Sequence, residues 1–184
     1  MPRLKITKED IVNVSFDIVK RSGIDRLNAR GIAKKLNCSV QPIFSNFDNM
    51  EDLKRSVLIK CCDYFYKFVT DLFDEKIPIY KQVGINYIRF AKKEPNLFKL
   101  LFMSSNDLSI IDINNESYKF TKQYIVNSLD LSDSDFDDLH IKMWIFTHGL
   151  ATLVVNNGLK LTDEQISGLL TDEFKALSLY EKGK

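Results

Sequence analysis

Glycine, proline, cysteine and histidine are scarce in this chain of 184 residues, which has 7, 4, 3 and 2 of them respectively. Polar and β-branched residues do not alternate as they do in strands, and apolar residues instead recur at spacings of three and four, the period of helices. The cysteines are odd in number and lack the spacing of a disulfide framework, so reduced thiols are the simplest interpretation. We therefore expect an all-α protein.

Long apolar runs are also missing from the sequence. No stretch approaches the roughly 20 apolar residues of a membrane-spanning helix, and the polar residues Met1 to Asp10 do not resemble a signal peptide. We expect a cytoplasmic protein with no membrane partner. Ring side chains, by contrast, are plentiful, with 13 Phe and 7 Tyr. This composition favours a folded chain with a core rich in aromatic residues.

The charge is distributed unevenly along the chain, although the net charge is only +1. Met1 to Lys60 contains 12 Lys and Arg against 7 Asp and Glu, whereas Cys61 to Lys184 contains 14 against 18. The first third is therefore basic and the remainder acidic. A basic segment of this kind favours nucleic acid as its partner.

Capping residues and apolar periodicity predict three short helices in the basic segment. The first begins after a Thr7 cap, with Asp10 completing a capping box, and ends at Gly23. The second follows an Asn28 cap, and the third follows a cap at Ser39 and ends near residue 47. Further helices are predicted from a capping box at 48–51 to before residue 78, and at 79–93, 95–103, 116–128, 135–157 and 163–180, with a loop at 106–115.

The segment from Asn28 to Phe47 has the organisation of a helix-turn-helix, with Ala33 small enough for two helices to approach closely. Such helix pairs also occur as plain structure, but this one lies in the basic segment behind an arm that contains Arg3 and Lys5, which favours DNA binding. Short polar and aromatic groups on its second helix suit groove edges and phosphates. The predicted DNA contacts are Lys5, Asn28, Arg30, Ser39, Val40, Gln41, Pro42, Phe44, Ser45, Asn46, Phe47 and Lys54.

The segment IVNVSFDIVKRSGIDRLNARGIAKKLNCSVQPIFSNFDNMEDL resembles the N-terminal domain of TetR-family (tetracycline-repressor-type) regulators. The shared features are Gly23, the Ile-Ala-Lys-Lys-Leu run at 32–36, the Cys-Ser pair at 38–39 and the Ile-Phe-x-x-Phe pattern at 43–47. Two later segments, FAKKEPNLFKLLF and MWIFTHGLATLVVNN, resemble one class of C-terminal domain in that family, with a Trp-x-x-x-His-Gly signature at Trp144, His148 and Gly149.

The resemblance implies a DNA-binding domain at residues 1–48 and a helical ligand-binding and dimerisation domain at 49–184. It further implies a homodimer formed by the last two long helices, and a pocket whose small-molecule effector changes the spacing of the recognition helices. The expected function is a ligand-released repressor of an inverted-repeat operator in double-stranded DNA. The chain departs from the family pattern at Met50, where a Lys commonly contacts a phosphate, and Lys54 is the expected substitute. It departs also at Asn28 and Gly31.

The candidate ligand contacts are aromatic residues expected on inward helix faces, together with Trp144 and His148, which are spaced four apart on one helix. Plain core packing explains the aromatic residues equally well. For Trp144 and His148 we favour a structural role over ligand binding. The candidate ligand contacts are Phe68, Tyr87, Phe102, Tyr124, Trp144 and His148. An alternative function is a helical dimeric small-molecule binder or adaptor whose helix-turn-helix is only structural.

An enzyme is a third and weaker alternative. His140 and His148 are eight residues apart, and no Cys-His pair, CxxC motif or clustered ligand set accompanies them. No catalytic residue, metal site or cofactor is therefore predicted. The acidic run from Asp130 to Asp138 is interpreted as a solvated cap of the following helix rather than as a calcium site.

Overall fold

The computed structural model describes residues 6–72, 74–104, 119, 122 and 132–183. Within this part the chain forms eight α-helices and one 3-10 turn at Ile24–Arg26, with no strand, so the predicted all-α class is confirmed. None of these helices is long and apolar enough to cross a membrane. We number the helices α1 (Lys8–Ser22), α2 (Ala29–Lys35), α3 (Gln41–Asn46), α4 (Met50–Val69), α5 (Ile79–Lys93), α6 (Pro95–Phe102), α7 (Asp133–Val155) and α8 (Asp163–Lys182).

The described helices belong to two compact units. The first contains α1, α2, α3, α4 as far as Tyr64, and α6 from Asn96 onward. The second contains the rest of α4 together with α5, α7 and α8. The first unit thus extends beyond residue 48, and a functional boundary at that residue stays a prediction.

Local capping chemistry determines where α1 and α2 begin, as the sequence predicts. The Asp10 N–H donates to Thr7 Oγ1 at 3.1 Å, and the Thr7 N–H donates to the Asp10 carboxylate at 2.9 Å. The helix ends at Gly23, whose φ of +82° is in a region that glycine adopts without steric cost. Asn28 caps α2 by accepting the Gly31 N–H at 2.9 Å.

Two predicted caps are wrong by one residue. Val40, rather than Ser39, precedes α3, and its side chain makes no capping hydrogen bond. Asn49, rather than Asp48, caps α4, because its Oδ1 accepts the N–H groups of residues 51 and 52 at 2.9 and 3.0 Å. These two N–H groups lie in the first turn of α4, where they have no partner within the helix.

The end of α4 is also earlier than predicted, at Val69 rather than shortly before Pro78. Side chains of α5 form hydrogen bonds with the main chain between α4 and α5. Asn86 Nδ2 donates to the Asp71 carbonyl at 2.8 Å, and Gln82 Nε2 donates to the carbonyls of Asp74 and residue 77 at 2.7 Å each. These bonds satisfy carbonyl groups in a non-helical connection that the helical periodicity alone does not distinguish from helix.

The first unit is held by a core of aliphatic side chains from α1 to α4. Each of these side chains is fully buried, and burying one contributes roughly 1.5–3 kcal/mol. The core residues are Ile11, Val19, Ile32, Ile43, Leu53 and Val57.

In the second unit, α7 runs in the same direction as α5, and α8 runs opposite to both. Tyr80 and Tyr87 of α5 pair with residues 140 and 148 of α7 in the same order along both helices. Arg89, near the end of α5, forms an ion pair of 2.8 Å with Asp163 at the start of α8. The three helices enclose buried residues that include Ile88, Phe90, Phe136, Leu139, Ala151 and Ile166.

The remaining predicted elements differ little from the structure where it describes them. The bounds of α5 are as predicted, and those of α6, α7 and α8 differ by no more than two residues at either end. Ser132 caps α7 by accepting the Asp135 N–H at 3.2 Å, so the end of the acidic run is a helix cap. The predicted loop at 106–115 and most of the predicted helix at 116–128 lie outside the described residues.

Candidate functional sites

The two helices of the candidate DNA-binding motif, α2 and α3, are joined by a connection of five residues, Leu36 to Val40. The Cys38 N–H donates to the Ala33 carbonyl at 3.0 Å and so closes the end of α2. Asn37 adopts a left-handed conformation with a φ of +51°, which asparagine tolerates better than most residues. A tight turn therefore follows α2 at residues 37–38.

Helix α3 has one buried face and one exposed face. Ile43 is completely buried, and it anchors α3 on the first unit's core. Val40, directly before the helix, is 39% exposed, and Phe44, one turn later, is 50% exposed. Gln41 and Ser45 are exposed beside them. The helix therefore presents an apolar ridge, one turn long, with an amide and a hydroxyl at its side.

Phe47 is a predicted DNA contact whose ring lies in the core instead. It is only 2% exposed, and the ammonium of Lys8 lies 4.6 Å from its ring centroid. Its place four residues after Ile43 puts it on the same inner face. The prediction that the Phe47 side chain reaches DNA is therefore wrong.

Several of the other predicted contacts already hydrogen bond to main-chain groups. Ser45 Oγ donates to the Gln41 carbonyl at 3.0 Å, and Asn46 Nδ2 donates to the Pro42 carbonyl at 2.7 Å. Asn28 Oδ1 caps α2, and its Nδ2 donates to the Arg26 carbonyl at 3.1 Å. These bonds fix the side-chain directions before any DNA is bound.

The cations of the motif lie mainly on α2. Arg30, Lys34 and Lys35 are all exposed. Lys54, the expected substitute for the family's phosphate-binding lysine, forms an ion pair of 2.8 Å with Glu51. Ser39 is exposed, Pro42 is half-buried, and Lys5 lies outside the described residues.

A second candidate site is a cavity of about 550 Å³ within the second unit, lined by residues of α5, α7 and α8. This volume is in the range of small-molecule pockets. Of the predicted ligand contacts, Tyr87 and Trp144 line the cavity. The other lining residues include Tyr80, Lys81, Gly84, His140, Met143, Thr147, Leu170, Phe174 and Lys175.

Of the other predicted ligand contacts, those that the structure describes do not line this cavity. Phe68 packs edge-on against Phe90, with ring centroids 5.4 Å apart. Phe102 belongs to the first unit, where it packs against Phe98. Tyr124 lies outside the described residues. Phe68 and Phe102 therefore lie away from this cavity, because helical spacing shows which face is inward but not whether it meets packing or empty space.

His148 stands behind the cavity wall rather than on it. The Trp144 and His148 rings stack with centroids 5.2 Å apart, and Tyr87 Oη lies 2.9 Å from His148 Nδ1. At the other end of the cavity, Tyr80 Oη lies 3.3 Å from His140 Nδ1. Two tyrosine–histidine pairs thus join α5 to α7.

Burial keeps both pairs uncharged. It lowers the pKa of His140 and that of His148, although Asp137 opposes the shift at His140. It raises the pKa of the phenols of Tyr80 and Tyr87 well above the ordinary value, and a hydrogen bond from Trp144 partly offsets the shift at Tyr87. Near neutral pH the two imidazoles and the two phenols are therefore neutral, and His140, Tyr80 and Tyr87 line the cavity in that form.

Most residues of the cavity wall are absent from the predicted ligand contacts, and those with charged, titratable or aromatic side chains are Tyr80, Lys81, His140, Phe174 and Lys175. One signal could have indicated the histidine, since residues 140, 144 and 148 are spaced by four and share a face of α7. No comparable signal exists for the two lysines, because exposed lysines are common on amphipathic helices.

Known structures give independent information on the fold. A TetR-family transcriptional regulator from Streptomyces coelicolor superposes with a TM-score of 0.73 and 16% identity, over 96% of this chain and 82% of that one. A TetR-family protein from Vibrio parahaemolyticus gives 0.64 and 13%, over 92% and 97%. A candidate transcriptional regulator from Pseudomonas aeruginosa PAO1 gives 0.63 and 13%, over 94% and 90%. No protein-family model and no curated protein matches the chain.

The chain therefore has the fold of TetR-family transcriptional regulators, as the sequence resemblance predicts. At these low identities the comparisons establish the fold, in which an N-terminal helix-turn-helix is joined to a helical C-terminal part.

Proposed function

We propose that the protein is a sequence-specific DNA-binding transcriptional regulator that reads DNA with α3. The observation that carries this proposal is the exposed face of α3, where Val40 and Phe44 stand in solvent while Ile43 beneath them is fully buried. Apolar side chains on a recognition helix suit the methyl groups of thymine, and the amide of Gln41 suits the edge of adenine. The structural neighbours that are transcriptional regulators support the same function.

The exposed cations of α2 complete this surface. Arg30, Lys34 and Lys35 would contact phosphates, which position a protein on the duplex without reading its sequence. Each phosphate contact makes the affinity fall as the salt concentration rises.

Selection from a pool of random duplexes, followed by binding titrations, tests this function. We expect a selected inverted repeat to bind at least about a thousand times more tightly than a shuffled duplex at physiological salt. Half-sites should lie about 10 base pairs apart, or a multiple of that spacing. Recovery of no preferred sequence would overturn the proposal.

We infer that the protein acts as a homodimer formed through α7 and α8. Ile145 of α7 is 60% exposed and Leu179 of α8 is 73% exposed, and further exposed apolar residues accompany them on both helices. Contiguous exposed apolar surface of this kind marks an interaction site. The accompanying residues are Ile141, Leu153, Leu169 and Tyr180.

The mass of the protein in solution tests the dimer. Ile145→Asp should convert a dimer into a monomer in light scattering, because it would bury an unpaired carboxylate in the interface. Lys160→Asp, at an exposed position between α7 and α8, is the control and should leave the mass unchanged. A monomeric native protein would contradict the inference.

We infer, further, that a small molecule in the cavity releases the DNA, which makes the protein a repressor. Helix α5 lines the cavity and ends at Lys93, and α6 begins only two residues later at Pro95. In α6, Asn96 Nδ2 donates to the Lys20 carbonyl in the last turn of α1 at 3.1 Å. A ligand that displaces α5 would therefore act on α6, and α6 is hydrogen bonded to α1 in the unit that contains the DNA-binding motif.

The cavity also favours a second candidate function, a dimeric small-molecule binder without sequence-specific DNA binding. Charge reversal discriminates between the two. If the protein is a DNA-binding regulator, Arg30→Glu with Lys34→Glu should abolish DNA retention and leave small-molecule binding intact. If the native protein binds a ligand but no DNA, the second function is the correct one.

A further inference from the structure

The cavity of the second unit has charges of one sign on its wall. Lys81 of α5 and Lys175 of α8 line it, and no Asp or Glu among the described residues does. Neither lysine forms an ion pair or a side-chain hydrogen bond with another described residue. The acidic residues Asp172 and Glu173 precede Lys175 on α8 but do not line the cavity.

Both lysines belong to the same end of the cavity. Lys81 follows Tyr80, and Lys175 follows Phe174. The rings of Tyr80 and Phe174 pack against each other with centroids 5.6 Å apart. Two cations therefore flank the end at which α5 begins.

Most of the remaining cavity wall is apolar or already hydrogen bonded. Met143, Trp144 and Leu170 offer apolar surface. The hydroxyl of Thr171 donates to the Ser167 carbonyl at 2.8 Å, and the phenol of Tyr80 bonds His140. A polar group in the body of a ligand would lose its water and gain few partners here, which is unfavourable.

We propose that the cavity binds an amphipathic anion, whose apolar body packs on Met143, Trp144 and Leu170 and whose anionic group lies between Lys81 and Lys175. The proposal specifies the effector of the proposed regulator and rests on that function. A cationic ligand would meet two like charges and no carboxylate from the described part of the wall. A neutral apolar ligand would leave the two lysines without a role in binding.

The fluorescence of Trp144 measures binding directly, since it is the single tryptophan of the sequence and it lines the cavity. Three probes with the same chain but different head groups are titrated into the full-length protein: decanoate, 1-decanol and decyltrimethylammonium, all below their aggregation limits. The variants are Lys81→Gln, Lys175→Gln and the double variant. Lys92→Gln, an exposed position of α5 that does not line the cavity, is the control.

The expected result is a charge-dependent pattern of affinities. Since partly exposed ion pairs are modest, each single substitution should weaken decanoate binding about three-fold, and the double variant about ten-fold. Binding of decanol should change less than about two-fold, and binding of decyltrimethylammonium should strengthen in the double variant. The control should behave as the native protein does.

Two results would overturn the proposal. One is decanoate binding that the double variant leaves unchanged. The other is the absence of any Trp144 response to decanoate in a protein that circular dichroism shows to be folded. Titration of the same preparation with the selected duplex keeps the functions separate, because DNA binding that persists in either case leaves the DNA-reading part of the proposed function standing.

Discussion

Replacement of Phe44 by alanine should reduce sequence preference without unfolding the protein. Complete burial of a phenylalanine side chain is worth roughly 1.5–3 kcal/mol. Because Phe44 is 50% exposed, contact with DNA can bury only about half of its surface, which corresponds to about 0.8–1.5 kcal/mol. The affinity for the selected operator should therefore fall about 4- to 12-fold for each half-site.

The comparison variant is Lys35→Ala, which removes an exposed cation of α2. A phosphate contact contributes to every duplex alike, so this variant should weaken operator and shuffled duplex by the same factor. It should also make the dependence of log affinity on log salt shallower by about 0.9 for each phosphate that is no longer neutralised. Phe44→Ala should leave that slope unchanged, because the ring carries no charge.

Fluorescence anisotropy with labelled operator and shuffled duplexes, at three salt concentrations, measures both effects. Thermal unfolding provides the control for folding, and the midpoint of Phe44→Ala should lie close to that of the native protein. The role of α3 in reading the sequence would be refuted if Phe44→Ala weakened both duplexes equally, or if Lys35→Ala alone removed the preference for the operator. Either result would place sequence reading on another part of the protein.

Three further predictions concern stability and coupling. Asn28→Ala should lower the free energy of unfolding by about 1 kcal/mol through loss of the α2 cap, with Asn28→Ser restoring most of it; unchanged urea unfolding would contradict the cap. Burial lowers the pKa of His140 and His148 in the folded protein. Their contribution to the free energy of unfolding is therefore complete above the unfolded pKa of about 6.5 and declines as the pH falls below it. A free energy of unfolding that increases as the pH is lowered from about 6.5 to about 5.5 would contradict this. Asn96→Ala should preserve ligand binding but reduce the effect of ligand on operator affinity. If the ligand changed operator affinity by the same factor in the variant and in the native protein, the hydrogen bond between Asn96 and Lys20 would have no part in the coupling.

The parts of the fold that the sequence predicts are those decided by neighbours in the chain. The capping box of Thr7 and Asp10 and the end of α1 at Gly23 each involve groups within a few residues of each other. Nearness in the chain does not by itself decide between adjacent polar residues, since Asn49 rather than Asp48 caps α4. The end of α4 depends on Asn86, which binds main chain 15 residues earlier. No pattern within α4 itself contains that information.

The candidate sites differ in the same way. The inner and outer faces of α3 follow from helical spacing, which puts Phe47 on the inner face with Ile43. The cavity exists where three helices fail to fill the space between them, and that depends on side-chain volumes from distant segments. Gly84 is an example, because a Cβ at this position would come within 3.3 Å of a methyl carbon of Leu170. The close approach of α5 and α8 is therefore invisible from either helix alone.

The connection between α5 and α6 gives the proposed release of DNA a physical route. Only Glu94 separates the two helices, and it is buried, with its N–H donating to the Phe90 carbonyl at 2.8 Å. One residue spans at most about 3.6 Å, so this connection cannot absorb a larger movement of α5. A ligand that shifts the end of α5 by a helical turn would therefore displace Asn96 or break its bond to α1. Ligand and DNA would then favour different arrangements of the same short segment, and this difference is what an allosteric coupling free energy requires.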